Sequence, residues 1–133
     1  NKMNILKATI VSIKQVDELM LIFLDAEGHI FNSLVLKNSL ENEFEIGMCV
    51  HLIFKETEVA LATKESIVSE RNGFVSKITH IENGKLLANI TLDFFDNGIN
   101  SIITKGALHG LKCKVGDEFR WFVKANEVTL QRI

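Results

Sequence analysis

Four consecutive residues, S-E-R-N at Ser69–Asn72, place a hydroxyl, a guanidinium and a carboxamide in one short stretch of a chain that otherwise alternates like sheet sequence. These are groups that a tetrahedral dianion needs to offset its desolvation. Arginine supplies a rigid fork of charged donors, and serine a directional hydroxyl. Backbone amides at a turn or helix start add further donors without side-chain entropy. On an extended segment Ser69 and Arg71 fall on the same side. Thr104 stands just before a stretch long enough for one helical turn, and Lys55 and Lys124 close two similar apolar runs. The plainer reading is a polar linker leading into an exposed strand, with strand-end lysines that merely face water. The recurrence of the lysines in register is what favours a site.

Other chemistries find no support. His29, His51, His80 and His109 are scattered without metal-ligand spacing. Asp93 and Asp96 flank a turn and have no partner pattern. Cys49 and Cys113 lack neighbours that would make a nucleophile, and two cysteines form no disulfide framework, so a reducing cytoplasm is expected. With no phosphate-loop glycine cluster either, the chain reads as non-enzymatic. Its 15 Lys+Arg against 17 Asp+Glu leave a net charge of -2, which draws it to neither nucleic acid nor acidic membrane. An anion would have to be held by local geometry. Single-stranded nucleic-acid binding would call for exposed aromatics among basic residues, whereas Trp121 sits in a core-like alternation. No apolar run approaches the roughly 18 residues of a membrane span, and no secretion signal is visible. The chain opens at Asn1 rather than a methionine, so it reads as a piece of a longer protein or one with added residues before Met3.

The elements that must position these groups emerge when the chain is laid on itself. N-S-L-V-L-K at Asn32–Lys37 matches N-S-I-I-T-K at Asn100–Lys105, a shift of about 68 residues that also pairs Asn4 with Asn72 and Ile10 with Ile78. After a one-residue gap, Gly47 pairs with Gly116, Lys55 with Lys124 and Glu58 with Glu127. The halves are 1–64 and 69–133, joined by the short K-E-S-I-V. Each alternates with a period of two, and each reads as five short strands with a helical turn before the fourth. In strand four Val50, Leu52 and Phe54 face the core, as do Phe119, Trp121 and Val123 in the second half. A-E-G-H marks one hairpin turn, and Asn97-Gly98 is taken as the other. The fold class is therefore all-β: two tandem five-stranded barrels of the oligonucleotide-binding (OB) type, closed so that no edge is left open.

S-E-R-N, I-T-K-G-A-L-H-G-L-K-C-K-V-G and F-V-K-A-N-E-V-T-L, with E-I-G-M-C-V-H-L-I-F-K-E-T-E-V-A-L-A in the first half, resemble the small molybdate-binding barrels called Mop or TOBE domains. The resemblance covers essentially the whole chain as a tandem pair. It implies a molybdate or tungstate ligand bound where barrels meet, in a homodimer or higher homo-oligomer. The setting would be the ligand-sensing part of a molybdate-dependent transcription regulator or a cytoplasmic storage protein. The alternative within the family is an accessory structural domain of an importer ATPase or regulator without its own ligand. The family pattern, a Ser-x-Arg-Asn opening, Thr-x-x-Ser before the helical turn and Lys after strand four, carries over to Ser69, Arg71, Thr104 and Lys124. Lys55 and Ser39 match in the first half, and Asn72 and Asn4 have supporting places. Where the family has its arginine, the first half has Met3, and Ala107 and Leu36 replace one hydroxyl in each Thr-x-x-Ser.

Overall fold

The computed structural model describes residues 2–37 and 43–133. In the first half β1 (Met3–Val16), β2 (Leu19–Ala26), β3 (His29–Leu36), β4 (Cys49–Lys55) and β5 (Ala60–Thr63) follow one another. In the second, β6 (Asn72–Asn83), β7 (Leu87–Phe94) and β8 (Asn97–Thr104) precede the helical turn α1 (Lys105–Leu111), then β9 (Glu118–Val123) and β10 (Thr129–Arg132). They build two five-stranded antiparallel sheets, in the orders β10-β4-β1-β2-β3 and β5-β9-β6-β7-β8. The all-β, OB-like reading holds. The helical turn expected at Ser39 in the first half lies outside the described residues.

The sheets do not follow the sequence repeats strand for strand. β5, from the first half, pairs with β9 of the second, and β10 returns to pair with β4 of the first. Each sheet thus holds four strands of one half and the last strand of the other. Both long strands bend at a bulge in the same place, between Ile10 and Ser12 in β1 and between Ile78 and His80 in β6. A bulge tightens twist and lets one strand serve two partners at its two ends. Here β1 pairs with β4 from Met3 to Thr9 and with β2 from Thr9 onward. The bulges are pinned by Gly47 and Gly116, whose amides reach the carbonyls of Ile10 and Ile78 at 2.8 Å. Their φ angles of 92° and 96° explain why glycine recurs there.

The period-two pattern points one face of each sheet into a shared core. Trp121 stacks between Phe54, at 6.1 Å, and Phe31, at 6.0 Å, and meets Phe94 edge-on at 5.5 Å, so rings from both halves form one cluster. The Trp121 indole N–H donates to Ser76 Oγ at 3.0 Å. One turn differs from the sequence reading. The β7–β8 hairpin turns on Phe95 and Asp96, with φ of 49° and 70°, while Asn97 and Gly98 already pair in the sheet opposite Phe94 and Asp93. A phenylalanine is strained at positive φ. Its ring packs on His29, Phe74 and Phe94 at 5.0–5.6 Å, which offsets that strain.

Candidate functional site

Two buried asparagines explain the last letter of S-E-R-N. The carboxamide of Asn72 accepts from the Asn32 amide and donates to the Asn32 carbonyl, both at 2.7 Å. Asn4 does the same for Asn100, at 2.8 and 2.9 Å. Each side chain imitates one residue of a neighbouring strand and plugs the free edge of β3 or β8 on the other sheet. The serines that follow those backbone partners complete the seam. Ser33 Oγ donates to Val128 O at 2.8 Å, and Ser101 Oγ to Val59 O at 2.7 Å, so the two edge strands of each sheet are tied to one another. The repeated Asn-Ser pairs thus belong to architecture, and they fix where the first residues of β1 and β6 emerge.

What emerges is a pair of matching strand ends. Met3 lies opposite Lys55 where β1 meets β4. Pairing of β6 with β9 ends at Asn72 and Val123, so the next residues out, Arg71 and Lys124, leave side by side. Arg71, Lys124 and Ser69 are all exposed. A cavity of about 290 Å³ beside Lys124 is lined by Glu58, Ala60, Glu70, Phe122, Val123 and Glu127. Its counterpart at Lys55, about 210 Å³, is lined by Met3, Ile53, Phe54, Asn126, Glu127 and Thr129. Thr104 opens instead on a third, largely apolar groove of about 510 Å³, which shares Ala60 with the Lys124 cavity. Its Oγ1 caps α1 by accepting from the Ala107 amide at 3.1 Å. That leaves its own O–H free to donate. The register thus sets Arg71 next to Lys124 at one strand end; Ser69 lies two residues further out, neither it nor Arg71 lines the Lys124 cavity, and Thr104 lies in the other groove. Ser39 lies outside the described residues.

The carboxylates Glu58, Glu70 and Glu127 were not singled out in the sequence, although Glu58 and Glu127 recur in register beside the lysines. That recurrence was the available signal. Among the described residues no three His, Cys, Asp or Glu side chains are grouped as metal ligands. Burial, and after it the charge of Asp117, push the Cys113 thiol up in pKa, which disfavours its thiolate.

No protein-family model matches the sequence, and no curated protein matches it. Among solved structures the chain is similar to the cytoplasmic molybdate-binding protein ModG in a form with molybdate bound. The TM-score is 0.91 at 25% identity, over 98% of this chain and 96% of that one.

Proposed function

From this near-full-length homology to ModG, which agrees with the tandem Mop/TOBE resemblance of the sequence, we propose that the chain binds molybdate or tungstate in the cytoplasm, without catalysis. The match to a molybdate-loaded protein carries the reading. The strand-end geometry supports it. Arg71 and Lys124 bring two positive charges to a doubly charged anion, and Thr104 has a hydroxyl to offer, while the Ser69 hydroxyl, which donates to Glu70 Oε2 at 3.4 Å, would turn from that carboxylate to the anion. Asn72 spends both amide atoms on Asn32 and is a positioning residue. The three glutamates on the cavity walls repel an anion, so it sits toward the open strand end, where a neighbouring barrel in a homodimer or larger homo-oligomer supplies further donors. At Lys55 the guanidinium is replaced by Met3, so that strand end is the weaker of the two. The serine bonds between edge strands support closure of each sheet into an OB-type barrel. Trp121, fully buried, offers no face for stacking a nucleic-acid base.

The protein serves as a ligand-sensing or storage unit under this reading. The acidic cavity walls favour one second reading, an accessory barrel pair without its own ligand. Titration calorimetry separates the two. Wild type binds molybdate and tungstate and binds the smaller sulfate less well, because its donors would stand too far apart. Arg71→Ala loses a charge-assisted pair worth about 2–5 kcal/mol, or roughly 30-fold or more in affinity. No molybdate binding by wild type, or an Arg71→Ala variant that binds as well as wild type, returns the accessory reading to first place.

A further inference from the structure

The two halves repeat their fold at the ends remote from the Asn4 and Asn72 plugs but invert the charge there. The turn after β1 is tied to the residue after β3 by the Lys37 amide, which donates to Glu18 O at 2.7 Å. The turn after β6 is tied to the start of α1 in the same way, from the Lys105 amide to Leu86 O at 2.9 Å. The bonds from Gly47 to Ile10 and from Gly116 to Ile78 place the preceding segments alike. On these matching surfaces the first half carries Asp17, Glu43 and Glu45 where the second carries Lys85, Lys112 and Lys114, and Glu18 gives way to Leu86. All eight are exposed. Apolar side chains that are about half exposed or more accompany both sets: Leu19 and Ile46 among the carboxylates, Leu87 and Val115 among the lysines. We propose that the acidic end of one copy of the chain docks on the basic end of the next, head to tail.

The neighbouring charges leave the contrast standing. Lys14 and Lys37 border the acidic end, and the Lys14 ammonium lies over the Phe23 ring, 5.4 Å from its centroid. Lys105 adds to the basic end. Glu82 and Asp117 border it, and Asp117 uses one carboxylate oxygen to accept from the Lys114 amide at 3.1 Å. Glu118, next along, is paired with Lys64 at 3.5 Å. With these neighbours included, carboxylates outnumber lysines four to two at one end, and lysines outnumber carboxylates four to two at the other. Like ends repel and unlike ends attract, which selects a second copy in head-to-tail orientation over a two-fold pair. A contact of this kind joins different surfaces, so it extends into a ring or an open row of copies. It leaves Arg71 and Lys124 untouched and does not rest on the oxyanion reading.

Sedimentation velocity of the purified full chain, without oxyanion, tests the docking. At about 50 mM salt the mass of wild type should grow with concentration, and association should weaken by about 10-fold or more at about 500 mM, where charges are screened within a few Å. Lys112→Glu combined with Lys114→Glu leaves two acidic ends, and Glu43→Lys combined with Glu45→Lys leaves two basic ends. Each double variant, with the circular dichroism of wild type, should keep its high-salt mass at every concentration. An equimolar mixture of the two should associate again, because each supplies the end that the other has lost. A wild type whose mass ignores concentration and salt overturns the docking, as do double variants that associate alone or a mixture that fails to associate. None of these outcomes depends on whether an oxyanion binds.

Discussion

Replacing Asn72 by alanine removes two hydrogen bonds of 2.7 Å and leaves the amide and carbonyl of Asn32 facing a gap on the edge of β3. Asn72 is fully buried, while the Asn32 peptide is partly so. An unsatisfied buried group costs about 1–3 kcal/mol. Taking the lower part of that range for each of two partly buried groups gives about 2–4 kcal/mol in all. For a chain of this size that lowers Tm by roughly 6–15 °C. Asn72→Asp is the sharper probe. A carboxylate still accepts from the Asn32 amide, but its second oxygen meets the Asn32 carbonyl where the N–H₂ had donated. It should cost at least as much as alanine at neutral pH. Urea unfolding without ligand, with the m-value held to wild type, reads both. A loss below about 0.5 kcal/mol for Asn72→Ala, or an aspartate variant as stable as wild type, would refute the edge-plug account. Asn4→Ala, whose geometry is the twin, should agree with Asn72→Ala within about 1 kcal/mol.

Two further expectations concern the strand-end cavities. Glu127 borders both lysines. Glu127→Gln should tighten molybdate binding by about 2–5-fold, the effect of removing an exposed like charge worth about 0.5–1 kcal/mol, and the gain should shrink in titrations at high salt. Met3→Arg restores a guanidinium opposite Lys55; calorimetry should then show additional molybdate bound per chain, whereas wild-type stoichiometry in that variant would mean that Met3 is not what weakens the first half.

Alternation was enough to identify the faces of the strands. Val50, Leu52 and Phe54, and Phe119, Trp121 and Val123, are buried as their spacing demands. It could not identify edges, because Leu61 or Leu130 shows the same inward pattern whichever strand lies beside it. The exchange of β5 and β10 is therefore a tertiary outcome. The hairpin at Phe95 was misplaced for a related reason. Turn statistics favour Asn-Gly, and only the ring cluster with His29 and Phe74, distant in sequence, makes a phenylalanine acceptable at positive φ. For the candidate site, the residue types were visible but their grouping was not. Register brings Arg71 beside Lys124, while helix capping takes Thr104 to another groove.

Exchange of the last strands also sets an order of events during synthesis. Leu52 waits for Leu130, and Ile53 for Thr129, so the sheet begun by the first half is finished only by the last strand of the second. Ala60 and Leu61 likewise stay unpaired until Phe122 and Trp121 emerge. Contacts this distant in sequence slow folding and leave β4 with a bare edge in the growing chain. Loss of β10 would consequently injure the sheet that was made first, and a cut at the joint would yield two pieces that each carry the other's edge strand.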